Sequence, residues 1–411
     1  MSPPKTTCAT ANPRSAFTDS VHWNIVIGSA QLEELAEEAR LSYLRPRRLE
    51  HELFWLSHAD HGERSTCGAI AFYRGGDLVS YLPFRLRLSS LPLRLGEVTL
   101  ARLPFRVFQL CGCGIVGDHS EASRLFTALA ETALHYDGLS LEETPIDSML
   151  WKASRMKHKN LLVFERSRAP HYVVDLPSNY ASYFQQLSGK TRTNIRRGMK
   201  ELGDRLGHWA VRKFTAPGQV REMIGLIETV ATKTFHYRLL GQDLTASNQQ
   251  LIDNLTLCAQ KGWLRGYLLV GNDRAIAYAI GYLINGCYQY ELVGYHPELA
   301  HASPGMVLLA KIIEDLIGSR AADLLDFGAG DALYKQLFGN RYYEEGAALI
   351  CRRAPYAAGA AIAERLLAEA SKLGARALAR TGLKIRLKKL LRSNAEQAVS
   401  WSSHRDGVKG K

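Results

Sequence analysis

The segment at residues 288–338 constrains the fold more than any other part of this 411-residue chain. Its pattern predicts a strand at residues 288–294, a loop, an amphipathic helix, a second strand at residues 323–327 and a further helix. The first helix begins at Ser303-Pro304-Gly305, since proline is tolerated in a first turn where its missing N–H would be unpaired anyway. The free N–H groups and positive dipole end of such a helix suit a phosphate. The segment therefore predicts an α/β unit with an anion-binding helix start.

Two common phosphate-binding loops are excluded by spacing. A dinucleotide-binding fold needs its glycine pattern directly after a strand, and a P-loop needs a glycine five residues before its Gly-Lys-Ser/Thr. Gly189-Lys190-Thr191 has no such glycine, and the Rossmann pattern is missing as well. A different phosphate-binding fold is therefore expected.

Three strings, taken in order, resemble the acetyltransferase domain of the GNAT superfamily, in particular of its CelD-type and FemAB-like members. They are SGKTRTNIRR at residues 188–197, Ser303-Pro304-Gly305, and DFGAGD at residues 326–331 with Tyr334 and Lys335 behind it. Residues from about 187 to 352 are similar to that domain. The resemblance implies an acyl-CoA-dependent N- or O-acyltransferase that transfers the acyl group, expected to be acetyl, directly to its acceptor.

An internal repeat predicts two related α/β units in tandem. Residues 72–88 and 268–284 each have the pattern of a hairpin, and each is followed by a strand, a helix and another strand. In the first half that helix is expected at residues 122–136. FemAB-like proteins are built of two GNAT-type halves, each with a mixed, mostly antiparallel sheet flanked by helices, and the repeat agrees with this α/β (α+β) class.

The predicted domains follow from the repeat. We expect a disordered lead-in at residues 1–20, a degenerate GNAT-like domain at residues 21–175, an acetyltransferase domain at residues 176–353, and a basic helical tail with a disordered end at residues 354–411. A single helix at residues 182–201 is expected to connect the halves.

The first half lacks the Ser-Pro-Gly string. Its corresponding loop, residues 112–120, carries Asp118 and is followed by Glu121, and negative charge repels a phosphate there. We therefore expect coenzyme A in the second half only, with the first half shaping the acceptor side.

Composition predicts a cytoplasmic protein. No window approaches the roughly 20 apolar residues of a membrane-spanning helix, and the N-terminus lacks a secretory pattern. Seven cysteines with irregular spacing indicate a reducing compartment. The close pair Cys111 and Cys113 has no further ligands at comparable spacing, so no metal is expected.

The net charge of +12 is concentrated in two segments. Five basic residues lie at residues 190–200 and eight at residues 372–392, and 5 + 8 = 13 exceeds the net charge. Arg192 in the first segment is a candidate ligand for an anionic acceptor, although solvated or paired charge explains it equally. The tail is amphipathic, so it can lie on an anionic membrane surface or dock on the protein. Nucleic acid is not favoured because aromatic residues are not interleaved.

The resemblance assigns roles to residues of the second half. Backbone N–H groups near Leu292, Val293 and Gly294 would polarise the acyl carbonyl, and Ser303, Pro304, Gly305 and Met306 would hold the pyrophosphate of coenzyme A. Tyr334 would protonate the leaving thiolate, Glu291 is a candidate general base, and Asp331 and Lys335 would orient the loop or the acceptor. The structural alternatives are Ser303 as a helix cap, Tyr334 as packing and Glu291 as a cross-strand partner.

The acceptor is left open by the sequence. His236 and Tyr237 lie where an acceptor would enter, although a surface histidine at a helix end is the simpler interpretation. We expect a small-molecule or an envelope or exopolysaccharide-precursor acceptor. The alternatives are a FemAB-like aminoacyl-tRNA-dependent transferase and a non-catalytic anionic-ligand or membrane-associated scaffold.

Overall fold

The structure, a computed structural model, describes residues 21–59, 65–96, 98–112, 114–120, 136–156, 161–233 and 243–380. In these residues thirteen strands form one mixed sheet, in the order β1-β2-β3-β4-β6-β13-β7-β12-β11-β10-β9-β8, with β5 pairing to β3. The strands are β1 (Val21–Ile27), β2 (Ser65–Arg74), β3 (Asp77–Leu95), β4 (Val98–Leu110), β5 (Val116–Gly117), β6 (Gly138–Pro145), β7 (Leu161–Asp175), β8 (Trp209–Phe214), β9 (Leu264–Gly271), β10 (Arg274–Ile284), β11 (Cys287–Tyr295), β12 (Leu324–Ala329) and β13 (Arg341–Arg352).

Helices cover both faces of the second half of this sheet. The described α-helices are α1 (Ser29–Leu41), α2 (Leu53–His58), α3 (Met149–Ser154), α4 (Tyr180–Gln186), α5 (Gly189–Leu206), α6 (Val220–Ala231), α7 (Gln249–Gln260), α8 (Pro304–Gly318), α9 (Leu333–Phe338) and α10 (Pro355–Arg380). Short 3-10 helices lie at Leu49–His51, Pro217–Gln219 and Pro297–Ala302. None of the described helices combines the length and the apolarity needed to cross a bilayer.

The alternation along β10 explains the two layers of helices. Successive side chains of a strand point to opposite faces, so Ala277 and Ala279 pack in the core under α5 and α8, whereas Tyr278 and Ile280 pack in the core under α6 and α7. The apolar residues predicted for α8 are all in the first of these cores, at 1% exposure or less: Val307, Leu308, Ile312 and Leu316.

The predicted hairpins and repeat are confirmed. The turn between β2 and β3 uses Gly75 and Gly76, and the turn between β9 and β10 uses Asn272 and Asp273, all with positive φ. Such two-residue turns match the right-handed twist of the strands they join. Each half then contains a short parallel pair: β4 with β6 in the first and β11 with β12 in the second.

The two halves exchange a strand at the centre of the sheet. Strand β7 follows the first half along the chain but pairs with β12 of the second, and β13 ends the second half but pairs with β6 of the first. Strands β7 and β13 also pair with each other along their length. The sheet is therefore continuous across the predicted boundary at residue 175, and the division into domains stays a prediction.

One predicted helix is wrong in its bounds. The helix expected at residues 182–201 is two helices, α4 and α5, with Leu187 and Ser188 between them. Ser188 starts α5 because its hydroxyl accepts a hydrogen bond from the Thr191 N–H at 3.1 Å, which is the contact of an N-cap. The predicted lead-in at residues 1–20, most of the helix at 122–136, and the tail beyond residue 380 lie outside the described residues.

Candidate functional site

A wedge opens in the sheet of the second half. Strands β11 and β12 pair in parallel only over Cys287–Gln289 and Leu324–Asp326, and β12 then pairs with β7 on its other side. The β12-facing edge of Leu292, Val293 and Gly294 is thus left without a partner strand in the described residues. Because the chain leaves β11 through a 3-10 helix and enters α8, the start of α8 lies at the open end of the wedge.

A β-bulge on β11 places Glu291 at the wedge. The pairing with β10 passes from Gly281 with Tyr290 to Ile280 with Leu292, which makes Glu291 the extra residue. Bulges of this kind re-aim a side chain and are frequent beside active sites. The side chain of Glu291 is accessible to solvent, although protein groups surround its carboxylate closely. A group on the floor of a cleft has both properties.

The surroundings of Glu291 raise the pKa of its carboxyl into the neutral range. Burial and the charges of Glu50, Glu143 and Asp326 together raise its pKa to about 7, against the opposing charge of Arg48. A carboxyl group with such a pKa is part ionised at neutral pH, which is the property of an effective general base.

Tyr334, on α9, lies beside Glu291 at the other wall of the wedge. Its ring is half-buried and makes edge contacts with Tyr290 at 6.0 Å and Phe327 at 5.7 Å between centroids. Burial and, to a smaller extent, the charge of Glu291 together raise the pKa of its hydroxyl to about 12. The hydroxyl is therefore protonated at neutral pH and can donate its proton.

The start of α8 has no side-chain cap, and in the described part of the chain the Gly305 N–H is the one amide of its first residues without an acceptor, because Ser303 donates to the Ala300 carbonyl at 3.0 Å and Pro304 has no N–H. Ser303 has left-handed backbone angles (φ 49, ψ 49) and makes no side-chain capping hydrogen bond. Its carbonyl accepts from the N–H groups of Met306 at 3.0 Å and Val307 at 3.2 Å. Pro304 is buried at the first helical position, and a Cβ on Gly305 would meet the Tyr295 ring at 3.4 Å.

The first half contributes three charged residues that sequence reasoning missed. Arg48 is buried, and its guanidinium lies 2.7 Å from a carboxylate oxygen of Glu143 and 3.4 Å from one of Glu50. The side chain of Gln289 on β11 accepts a hydrogen bond from the Leu49 N–H at 2.6 Å, which fixes this segment against the second half. No local pattern could have linked these residues to Glu291, because the contact joins segments far apart along the chain.

A buried triad lies under the wedge at the exchanged strands. Nε2 of His171 on β7 donates to Asp326 of β12 at 2.5 Å, and its Nδ1 lies 2.9 Å from Glu345 of β13, an ion-pair distance without the alignment of a hydrogen bond. Burial disfavours the charged imidazolium, but the hydrogen bond to Asp326 and the close carboxylates of Asp326 and Glu345 prevail and raise the pKa of His171 to about 9. Asp326, despite burial, has a lowered pKa because of His171, and the pKa of Glu345 is raised by burial.

The other predicted site residues have different surroundings. The ammonium of Lys335 donates to the carbonyls of Ala329 at 2.6 Å and Gly328 at 3.1 Å. The carboxylate of Asp331 accepts hydrogen bonds from Tyr172 and Gln336. The guanidinium of Arg192 donates to the carbonyls of Gln185 and Leu187. His236 and Tyr237 lie outside the described residues. The structure thus brings Glu291 and Tyr334 together. The charged groups of Lys335 and Arg192 donate hydrogen bonds to backbone carbonyls instead.

One protein-family model matches the part of the chain that contains this wedge. Residues 189–336 match the model of the Acetyltransferase (GNAT) domain. The chain carries a GNAT-type acetyltransferase domain. The matched range runs from the start of α5 into α9, so the GNAT domain contains the wedge, Glu291, the start of α8 and Tyr334. Strands β7 and β13, and the charged residues of the first half, lie outside it.

Several solved structures are similar to this GNAT-containing chain at low sequence identity. The C-terminal DUF2156 domain of a putative lysylphosphatidylglycerol synthetase from Agrobacterium fabrum is 13% identical, with a TM-score of 0.49, over 81% of this chain and 95% of that one. FemX is 11% identical, with a TM-score of 0.49, over 77% and 90%. A tandem GNAT protein from the clavulanic acid biosynthesis pathway is 11% identical, with a TM-score of 0.44, over 81% and 99%. No match to a curated protein was found.

The GNAT domain and its surroundings offer no cluster of metal ligands in the part of the chain that the structure describes. No three His, Cys, Asp or Glu side chains of these described residues are arranged to hold a metal ion.

Proposed function

We propose that this protein transfers an acyl group from acetyl-CoA or another acyl-CoA directly to an amine of a small-molecule acceptor. The observation that carries the proposal is Glu291, an accessible carboxylate with a pKa of about 7 on a β-bulge, beside the protonated hydroxyl of Tyr334. Two neighbouring groups with such different pKa values can act as the base and the acid of one site.

The donor side is supported by the wedge and by α8. The unpaired edge of Leu292, Val293 and Gly294 supplies backbone groups for a thioester, and Ser303, Pro304, Gly305 and Met306 surround the helix start that suits a pyrophosphate. No cation from these residues is required, since the Gly305 N–H, which has no acceptor in the described part of the chain, and the positive end of the helix dipole stabilise an anion.

The proposed chemistry balances with the groups present. An ammonium acceptor gives a proton to Glu291, and the neutral amine then attacks the thioester carbon. The new C–N bond forms, the C–S bond breaks, and the thiolate takes a proton from Tyr334. The tyrosinate recovers its proton from the positively charged nitrogen of the new C–N bond, so the products are a neutral amide, free coenzyme A and one proton released from Glu291.

The charges around the wedge favour an amine over a hydroxyl acceptor. Five acids surround it, Glu50, Glu143, Glu291, Asp326 and Glu345, against the three cationic groups Arg48, Lys335 and His171. Glu50 and Glu143 keep 33% and 44% of their side-chain surface exposed, so a bound acceptor can reach them. An amino group on an envelope or exopolysaccharide precursor would satisfy this arrangement, and that identity remains a prediction.

Turnover measured by free-thiol release tests the proposal. Purified protein is given acetyl-CoA and pairs of acceptors that differ only in an amine or a hydroxyl at the reacting position, and calorimetry measures coenzyme A binding separately. We expect binding at micromolar to millimolar ligand and turnover with amines. Absence of binding at millimolar coenzyme A, together with consumption of aminoacyl-tRNA, would replace the proposal with the tRNA-dependent alternative. Preference for the hydroxyl partner would overturn the amine assignment alone.

A further inference from the structure

A two-stranded ribbon extends beyond the body of the sheet. Pairing of β3 with β2 stops at Arg87, and pairing of β4 with β6 starts only at Val107. Residues 88–95 of β3 therefore pair only with residues 98–106 of β4. We call these two stretches the distal ribbon. An isolated two-stranded ribbon is marginally stable in water, so it needs support from another element.

Helix α10 supplies that support along the ribbon. Leu91 and Phe105 are buried against Ala357, Ala360 and Ala361 of the helix. At one end the Tyr356 hydroxyl donates to the Pro104 carbonyl at 2.6 Å, and further along the Gly96 N–H donates to the Ser371 hydroxyl at 2.7 Å. Gly96 lies at the ribbon tip, so α10 runs from the middle of the ribbon to its tip and ends nine residues later at Arg380.

The tip of the ribbon exposes bulky apolar side chains. Leu95 and Val98 face each other across the strands, and Leu100 is the extra residue of a bulge two positions on. Their exposed fractions are 45%, 62% and 57%. Helix α10 exposes Ile362, Leu366 and Leu373 as well, but on the face turned away from the ribbon, since Ile362 and Leu373 lie two positions on from Ala360 and Ser371. The three apolar residues of the tip mark an interaction surface, because soluble proteins rarely expose neighbouring bulky apolar side chains without a use.

Two arginines flank this apolar tip. The distal ribbon carries Arg94, Arg102 and Arg106, of which Arg106 pairs with Asp137, and Glu97 stands between its two strands in the sequence. Arg94 and Arg102 are exposed next to the apolar residues. The sequence after Arg380 adds Lys384, Arg386, Lys388, Lys389 and Arg392 with no acid among them.

We propose that the distal ribbon tip, held by α10, forms a contact surface for an anionic lipid bilayer. Leu95, Val98 and Leu100 enter the boundary between headgroups and acyl chains, and Arg94 and Arg102 bind anionic headgroups. Partial insertion of apolar side chains combined with attraction to anionic lipid is the general physics of interfacial binding. Exposed aliphatic side chains without aromatic residues among the arginines favour lipid over nucleic acid, whose bases stack on aromatic rings.

Vesicle sedimentation of the full chain tests the surface. Vesicles of phosphatidylcholine with about one-third phosphatidylglycerol are compared with pure phosphatidylcholine, and we expect binding to the first that weakens with salt. The triple variant Leu95→Asp, Val98→Asp, Leu100→Asp should lower the partition coefficient by about tenfold or more. Leu41→Asp, which alters an equally exposed leucine on α1, is the matched control and should bind like the parent. Acyl transfer to a soluble acceptor and circular dichroism report that each variant is folded.

Three outcomes overturn the proposal. Unchanged vesicle binding by a folded triple variant, with binding lost on neutralising the five basic residues after Arg380, would assign the contact to the tail alone. Equal binding to neutral vesicles would remove the charge argument. Binding of tRNA that depends on Arg94 and Arg102, with no vesicle binding, would reassign the surface to nucleic acid. None of these results bears on the acyl-transfer proposal, which is tested in solution.

Discussion

The two halves of the molecule share a strand order and differ in the residues just beyond their parallel pairs. In the second half the pair ends at Gln289 with Asp326, and two residues beyond it Glu291 protrudes into an open wedge. In the first half the pair ends at Gln109 with Ser140, and two residues beyond it Cys111 is buried. The shared topology thus supplies a place for a site, and a few side chains decide whether chemistry is possible there.

The loops of the two halves also differ in charge, since the first-half loop carries an acid and the start of α8 does not. The start of α8 presents the Gly305 N–H and has no acid in its first turn. The corresponding loop of the first half carries Asp118, which pairs with Arg74 at 3.1 Å and accepts from the Ser120 N–H at 2.8 Å. We therefore propose coenzyme A for the second half only, with Arg48, Glu50 and Glu143 of the first half on the acceptor side.

The largest expected effect tests whether the halves are one folding unit. His171→Gln should lower the free energy of unfolding by about 3–5 kcal/mol, because it leaves Asp326 and Glu345 buried without their cation. Urea titration with fluorescence detection measures this, and His22→Gln, at an exposed position on β1, should cost less than about 0.5 kcal/mol. Two separate transitions in the parent protein would contradict the single unit that strand exchange implies.

The same residue predicts a pH dependence of stability. The pKa of His171 is raised from 6.5 to about 9 in the folded state. The contribution of His171 to the free energy of unfolding is therefore complete below its unfolded-state pKa of 6.5, and it is lost as the pH rises through its folded-state pKa of about 9. The parent should lose stability over this window, and His171→Gln should lose less; equal losses would remove His171 as the cause.

The next effect separates the two positions beyond the parallel pairs. Glu291→Gln should lower kcat by about 10²–10³-fold, because an amide cannot accept the proton of the acceptor. Cys111→Ala, at the matching position of the first half, should leave kcat within about twofold. Steady-state kinetics with a saturating amine measures both, and comparable losses in the two variants would contradict the assignment of one site.

The pH profile of kcat/KM sharpens this test. Activity should rise as Glu291 ionises, with a midpoint near its pKa of about 7, and the limb should vanish in Glu291→Gln. The groups that face this carboxylate and shape its titration are Arg48, Glu50, Glu143, Tyr282, Tyr288, Asp326, Tyr334 and Lys335. An unchanged limb in the variant would place the titrating group elsewhere among them.

A charge change makes the second-half loop resemble that of the first. Gly305→Asp should weaken coenzyme A binding by about tenfold or more through repulsion of the pyrophosphate, while an acid in a first helical turn keeps the helix stable. Calorimetry measures the affinity. Asp118→Asn in the first half is the matched control and should leave the affinity unchanged. Equal affinity in Gly305→Asp would move the pyrophosphate away from α8.

The smallest expected effect concerns the acid. Tyr334→Phe keeps the ring against Tyr290 and Phe327 but removes the proton donor, so kcat should fall by about tenfold with little change in KM. Tyr342→Phe, at a residue that is 66% exposed, is the control. Unaltered turnover in Tyr334→Phe would leave this tyrosine with a packing role only.

Local signals in the sequence predicted most of the second half. The Asn272-Asp273 turn and the proline at the start of α8 depend on neighbouring residues alone, and both elements are where the pattern placed them. The Ser188 cap is also local, but the basic helical pattern on both sides of it concealed the break between α4 and α5.

Long-range features could not be predicted. The contact of Arg48 and Glu50 with the Glu291 carboxylate joins segments that are remote in sequence, so neither segment carries a sign of it. Strand exchange is equally hidden, because β7 and β13 have the same alternation whether each pairs with its own half or with the other. The raised pKa of Glu291 is a product of this assembly and has no sequence signature.

The exchange of β7 and β13 has a consequence for synthesis of the protein. A ribosome releases Gly138–Pro145 long before Arg341–Arg352, so the edge of β6 has no partner until the chain is nearly complete. Unpaired strand edges invite association with other chains, and pairing of segments so distant in sequence is slow. Fragments that end after residue 175 should therefore aggregate, and the intact chain should depend on chaperones until its last strand is in place.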